Sequence, residues 1–369
     1  MSTHGKRRVM SKAASPLWAK FLVGIGAVLL VASLATGGYA KIMIDKVNDS
    51  VGTDDLVDNN GSGDIKGPLN MLMIGSDKRK SWSSAQSDSI MILHINKALT
   101  KATIVSIPRD LKVDIQDCGS MMSSPCNTKI NASFTAGGSN VKKAVRNLAQ
   151  TVSDLTAPKD ANGKATGKGI SFDGAAMVNF QGFYKVVKTL GSIELCLPMK
   201  MTPAHADGKT FPKGCHEYGY KDALGIVRER YAYDPTNPDF PVSWGIGDYG
   251  RQHMQQHFIK QLFKKAEEEG YVSNPSRVGT LIKAVGDNIL VDLGGHTVTD
   301  FAFALRHVKP SSMKTVKVPS EPADIEGTSY VVIQPGEEQT DADDLFKALR
   351  EDKLDDWITS HPDWVNSDK

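Results

Sequence analysis

The chain has 369 residues, 40% of them hydrophobic, and carries 44 Lys and Arg against 42 Asp and Glu for a net charge of +2. That balance suits one large globular domain or two ordinary ones and excludes a disordered chain. It also excludes a global field for nucleic acid, so any anion site has to be local.

From the N-terminus, Phe21 to Ala35 is almost wholly apolar. Extended over residues 17–36 it reaches about the 20 residues that cross a bilayer, which predicts a single transmembrane helix after a short tail of residues 1–16. Lys6, Arg7, Arg8, Lys12 and Lys20 precede it, whereas Lys41 to Gly63 holds more acid than base. The positive-inside rule then leaves the N-terminus cytoplasmic and the main domain outside a cell membrane. A cleaved signal peptide is the competing reading, because small residues occupy Ala32 to Ala40. Residues 37–67, rich in Asp, Asn, Gly and Ser, read as an extracytoplasmic tether.

The folded domain is expected over residues 68–310. Leu69 to Ile74, Ser89 to Ile95 and Ala102 to Ile107 are short apolar runs at hairpin-like spacing. Val141, Ala144, Val145, Leu148 and Val152 then repeat at helical period. Pro158 to Gly169 is a Gly/Lys-rich loop expected to be mobile. Phe172 to Leu190 carries a helical pattern closed by Gly191, and Ile193 to Leu197 follows as a strand. Asp248 is a suitable N-cap for a helix over Tyr249 to Glu269, ended by Gly270. Ser276 to Ile289 and Thr297 to His307 look helical. In a C-terminal extension of residues 311–369, Thr315 to Val318 and Ser329 to Ile333 look like strands and Ala342 to Arg350 like a helix. The reading is an α/β domain in which helices cover a sheet.

Four cysteines suit an exported chain, and of their three possible pairings Cys118 with Cys126 and Cys196 with Cys215 close the shortest loops. Zinc is the rival reading, but no C-x2-C pair or partnered His motif is present.

Charged residues gather at the ends of apolar runs. Asp77 follows Gly75 and Ser76, and Asp88 opens the next run; paired carboxylates there suit Mg2+, which takes oxygen ligands and shares phosphate oxygens. Turn-forming aspartate is the bland alternative. Arg109 directly follows Pro108, so its fork of donors leaves the sheet at a defined point, although a surface ion pair with Asp110 is equally open. Arg228 and Arg230 of VRER share a direction if the backbone is extended. Arg251 falls in the first turn of the helix capped by Asp248, where anions bind, with Gln255 four residues on; a solvated face is the alternative. No G-x-S-x-G or H-E-x-x-H is present. Few arginines and aspartates able to converge read as a site for a diphosphate.

NMLMIGSD (Asn70 to Asp77), SDSIMILHIN, VSIPRD, KINASF (Lys129 to Phe134), VNFQGFYKVVKTLGSIELCLP, ALGIVRERY and GDYGRQHMQQ, in this order, resemble the LytR-CpsA-Psr family of Gram-positive cell-wall enzymes. The cysteines around Leu197 to Gly214 look like its actinobacterial branch. The resemblance implies a three-layer α/β/α domain with a central mixed sheet that moves a phosphoglycan from a polyprenyl-diphosphate-linked glycopolymer to a peptidoglycan hydroxyl. It implies Asp77 and Asp88 as Mg2+ ligands, with Arg109, Arg228, Arg230, Arg251 and Gln255 on the lipid diphosphate. It also implies an apolar tunnel for the polyprenyl tail, in which Val145, Leu148, Phe180 and Phe183 can share if they are not plain core. Two departures stand out: Gln86 and Met254 occupy positions where the family usually has Arg, and Lys78, Arg79 or Lys80 are candidates to compensate. A lipid-diphosphate hydrolase and a non-catalytic carrier-lipid binding protein are the alternatives.

Overall fold

The computed structural model describes residues 52–53, 56–57, 64–76, 86–120, 122–203, 207–230, 240, 244, 247–269, 288–296, 300–301, 304–305, 307–309 and 312–366. The three apolar runs read from the sequence form β2 (Leu69–Ser76), β3 (Ser87–Ile95) and β4 (Ala102–Ile107), paired antiparallel in succession. β7 (Gly174–Asn179) lies parallel to β2 on its other side. It is followed outward by β10 (Ile289–Asp292), antiparallel, and by the two-residue β1 (Gly52–Thr53), parallel. β11 (Lys314–Lys317) closes the opposite edge parallel to β4, so the seven-stranded sheet is mixed.

Successive side chains of a strand point to opposite faces, and the core divides accordingly. Leu69, Met71, Met73, Met91 and Leu93 enter one apolar cluster, while Leu72, Ile74, Ile90 and Ile92 enter another. The first contains buried residues of the Phe180–Leu190, Tyr220–Arg228 and Asp248–Glu268 helices. The second contains those of Val141–Leu155, Glu337–Glu351 and Leu354–Ser360. The result is the expected three-layer α/β/α arrangement. Val141–Leu155 forms because Asn140 accepts from the Lys143 backbone N–H at 3.1 Å and its stripe of Ala144, Val145, Leu148, Val152 and Leu155 is buried.

Both cysteine pairs form disulfides, and Cys196 and Cys215 face each other across β8 (Ser192–Leu197) and β9 (Gly214–Gly219). Leu197 closes β8 as read; β9 and the Leu354–Ser360 helix went unrecognised in the sequence. Residues 172–190 depart from the expected single helix: Gly174–Asn179 is a central strand and only Phe180–Leu190 is helical. Gly174 is required there, because a Cβ would lie 2.4 Å from the Asp292 carbonyl of β10. The 158–169 loop folds back on itself, Thr166 N–H donating to the Pro158 carbonyl at 2.8 Å and Asp160 N–H to the Lys164 carbonyl at 2.9 Å.

No helix among the described residues is long and apolar enough to cross a membrane, and the 17–36 segment lies outside them. Also outside are Asp77 to Lys80, Gly270, most of the Ser276 to Ile289 segment, whose final residue belongs to β10, and part of Thr297 to His307.

Candidate active site

Asp88 is the second residue of β3, beside the end of β2, where Ser76 pairs with Ser87 and its hydroxyl donates to the Gln86 carbonyl at 2.9 Å. Arg109 follows β4, and its Nη1 donates to Asp88 Oδ1 at 2.5 Å. Arg251 comes from the Asp248–Glu268 helix, and its Nη2 donates to the Asp88 carbonyl at 2.7 Å while standing 2.6 Å from Asp248 Oδ1. Arg230 Nε lies 3.3 Å from that same Asp248 oxygen. Three guanidinium groups from separate stretches thus meet two aspartates in one continuous array, Arg109 on the Asp88 carboxylate, Arg251 on the Asp88 carbonyl and the Asp248 carboxylate, and Arg230 on Asp248.

Asp248 does not cap the helix as expected. The Arg251 N–H donates to the Gly247 carbonyl at 3.2 Å, which places Gly247 before the first turn, and the Asp248 carboxylate turns to the arginines and accepts from Gln252 Nε2 at 3.0 Å. Arg228 ends its helix and Glu229 is extended (φ −77°, ψ 144°), so the VRER backbone is extended only from Glu229. Arg228 still reaches the same region, where it lines a cavity with Asp88 and Gln255. Gln255 Oε1 accepts from the Ser89 hydroxyl at 2.6 Å.

Arg251 is only 4% exposed. Burial lowers its pKa to about 10 against the pull of Asp248, and Arg230 and Arg109 lower it further. It remains charged at neutral pH. Among the described residues, Nε of Arg109 and Nε of Arg251 are buried without a hydrogen-bond acceptor; the former stands 3.6 Å from Asp110 Oδ2, too far to donate. A buried unsatisfied donor costs about 1–3 kcal/mol, more when charged, and an anion bound beside the array would satisfy both.

The cavity lined by Asp88 and Arg228, next to this array, measures about 850 Å3 counting its open mouth. Its polar lining is Asp88, Ser89, Gln255, Arg228, Ser76 and Asn179, and Met73, Met91, Phe183, Val227, Phe258 and Ile259 are among its apolar walls. Phe183 stacks on Phe258 with centroids 4.3 Å apart. A charged rim above an apolar bore takes a ligand with an anionic head and an alkyl tail. Of the residues suggested for the tail, Phe183 lines the bore. Val145 and Leu148 are plain core in the cluster on the other face of the sheet, and the Phe180 side chain lies outside the described structure.

Lys129, inside KINASF, carries no local signal of a role; its Nζ lies 3.2 Å from Asp110 Oδ1, and Asp110 in turn stands 3.6 Å from Arg109, which extends the charged array. Ser89 was also missed, since nothing in SDSIMILHIN marks one serine above another. Met254 is 2% exposed within the apolar core, so that position contributes packing rather than charge, whereas Gln86 is exposed. For a divalent ion, Asp88 supplies a carboxylate at the rim and Asp77 directly follows Ser76; no cluster of three or more His, Cys, Asp or Glu suited to a metal occurs among the described residues. One or two carboxylates with phosphate oxygens and water are the donor set Mg2+ usually takes.

The model of the LytR_cpsA_psr family matches residues 36–350. Over 289 residues the chain is 28% identical to the cell wall biosynthesis protein LcpA of Corynebacterium glutamicum, covering 73% of this chain and 49% of that one. It therefore spans about half the length of that relative. It is 26% identical over 292 residues, 76% of this chain and 82% of the other, to the polyisoprenyl-teichoic acid–peptidoglycan teichoic acid transferase TagU of Bacillus subtilis. The crystal structure of B. subtilis TagV matches with a TM-score of 0.56 at 20% identity, covering 79% of this chain and 98% of that one, a likeness of fold.

Proposed function

Because the chain belongs to the LytR_cpsA_psr family, we propose that it transfers a phosphoglycan from a polyprenyl-diphosphate-linked glycopolymer to a peptidoglycan hydroxyl. The observation that carries this reading is the pair of unsatisfied, buried guanidinium N–H groups of Arg109 and Arg251, both bonded to Asp88, which lines an apolar cavity. The activity named for TagU, a relative over most of both chains, points the same way.

In this mechanism the diphosphate lies against Arg109, Arg251, Arg230 and Arg228, and the polyprenyl tail descends between Phe183, Phe258 and Val227. The acceptor hydroxyl attacks the glycan-side phosphorus in line; the new bond joins that phosphorus to the acceptor oxygen, and the bond to the carrier phosphate breaks. Phosphoryl transfer needs chiefly positioning and charge neutralisation, which fixed arginines in a partly dry site supply. The acceptor proton would pass to Asp110, the carboxylate beside Arg109 that is not assigned to the metal. Asp88 and Asp77 would hold Mg2+, which when bound neutralises charge on phosphate oxygens. Residues 17–36 would anchor the chain in the cell membrane with the domain outside, next to carrier lipid and wall.

The test is incubation of the purified chain with a polyprenyl-diphosphate-linked glycan, Mg2+ and peptidoglycan. Covalent attachment of glycan to peptidoglycan, lost on chelation with EDTA and restored by Mg2+, is expected. Release of free phosphoglycan at the same rate without peptidoglycan would replace transfer by hydrolysis. Tight binding of the carrier without any turnover would reduce the protein to a lipid-binding one.

A further inference from the structure

The apolar bore beside Arg228 is short. Along the Asp248–Glu268 helix its lining runs from Gln255 to Leu262, seven residues or about 10 Å at the helical rise. Along the Tyr220–Arg228 helix it runs from Arg228 back to Leu224. Tyr220 stands one turn further along that same side, since residues four apart on a helix share a face. Like Phe183 and Leu224 of the wall, it is partly buried against the apolar cluster on this side of the sheet. A polyprenyl chain is many times longer than the bore, so a tail whose diphosphate lies at Arg228 has to continue past this end.

Tyr220 is not alone there. The Tyr184 ring of the Phe180–Leu190 helix meets it at 64° with centroids 4.3 Å apart, and Lys188 Nζ lies 5.6 Å from the Tyr184 centroid and 5.9 Å from that of Tyr220. The Tyr220 hydroxyl donates to Tyr184 and lowers its pKa, and the nearby ammonium groups of Lys188 and Lys221 act in the same direction. Lys185 is three residues before Lys188 and so shares its side of the helix.

On this face positive charge is in excess. The Phe180–Leu190 helix has no acidic residue, and β8, β9 and the Tyr220–Arg228 helix together have three. Each of the three is matched by a lysine, Asp222 by Lys209 at 2.6 Å, Glu194 by Lys264 at 3.0 Å and Glu217 by Lys265 at 3.2 Å. Lys185, Lys188 and Lys221 are left over, with no carboxylate partner among the described residues. Tyrosine and lysine in one patch suit a membrane surface, where the ring sits at head-group level with its hydroxyl in water and the ammonium is drawn to anionic lipid.

We propose that the face formed by Tyr184, Lys185, Lys188, Tyr220 and Lys221 docks on an anionic lipid bilayer, so that a carrier tail passes from the end of the bore into the hydrocarbon. The inference rests on the carrier-lipid reading of the cavity for its purpose, and its test needs no turnover. Because all four cysteines are in disulfides, a single introduced thiol can be labelled. The full chain carrying Thr189→Cys, one residue after Lys188, is labelled with bimane and incorporated into nanodiscs whose head groups bear a spin-label quencher. Phosphatidylglycerol discs are expected to quench the label about twofold more than phosphatidylcholine discs. A bimane on Lys347→Cys, an exposed position on the other side of the sheet, is expected to stay bright in both. Adding Lys185→Glu, Lys188→Glu and Lys221→Glu to Thr189→Cys is expected to abolish the difference between the two lipids while the circular dichroism spectrum stays that of the parent. Quenching that is absent, equal in the two lipids or unaltered by the charge reversal overturns the proposal. Binding of a polyprenyl diphosphate is measured in parallel. Lipid-dependent quenching in a chain that binds no carrier would leave docking standing while the cavity reading fell, and carrier binding without quenching would do the reverse.

Discussion

The two faces of the central sheet are built from the same strands yet packed differently. On the face that holds the apolar cavity, the buried cluster includes Met71, Met73, Met91, Met201, Met254 and Met313. Among the described residues, the fully buried part of the cluster on the other face relies on Leu72, Ile74, Ile90, Ile92, Val145 and Leu148, with Met177 only partly buried against it. Methionine is unbranched and polarisable, and so conforms to an irregular or changing neighbour; branched side chains hold one rotamer and fill space fully. One face is thus suited to admit an alkyl chain of variable path, and the other to hold the sheet rigid beneath it. Stability and ligand accommodation are assigned to opposite sides of a single layer.

Substitutions at four positions probe that division. Leu148→Ala, on the solid face and fully buried, is expected to cost about 2–5 kcal/mol in denaturant unfolding while leaving carrier-lipid affinity unaltered in the folded chain. A cost below about 1 kcal/mol would mean that this face also gives way. Arg109→Ala should lower the transfer rate about 100- to 1000-fold, and Arg109→Lys should recover little, since an ammonium lacks the planar fork. Steady-state rates with saturating donor distinguish this from weak binding. Leu224→Trp, on the cavity wall, is expected to weaken polyprenyl diphosphate about tenfold by filling the bore, with a melting temperature close to wild type; unchanged affinity would move the tail elsewhere. Gln255→Ala removes the acceptor of the Ser89 hydroxyl and should cost about 0.5–1.5 kcal/mol in donor affinity, seen by titration calorimetry.

Much of the frame was legible because its signals are local. β2, β3 and β4 are continuous aliphatic runs, Val141–Leu155 has its stripe and its Asn140 cap, and each disulfide closes a short loop. Gly174–Asn179 was not, since Gly174, Ala175 and Ala176 carry little strand propensity and run directly into a true helix; the position in mid-sheet is chosen by the need for small residues against Met71 and β10. The array of Arg109, Asp88, Arg251 and Arg230 was legible as a set of residues, and its order was not. Asp248 satisfies every local rule for a helix cap, but two guanidinium groups compete for the same carboxylate and win it, a contest between segments that no local window contains. The same holds for Val145 and Leu148, whose helical spacing is equally good on either side of a sheet.

Near the other end of the chain, Asn366 donates its side-chain amide to Gln256 Oε1, and Gln256 Nε2 in turn donates to the Ser106 hydroxyl at 2.5 Å and to the Val316 carbonyl at 3.1 Å. Gln256 sits five positions after Arg251 and Ser106 three before Arg109, so this clasp fastens together the two elements that aim both guanidinium groups. Trimming a handful of residues around Asn366 would look harmless from the surface, far along the sequence from any charged motif. It would nonetheless unbuckle the alignment on which the whole electrostatic arrangement is hung.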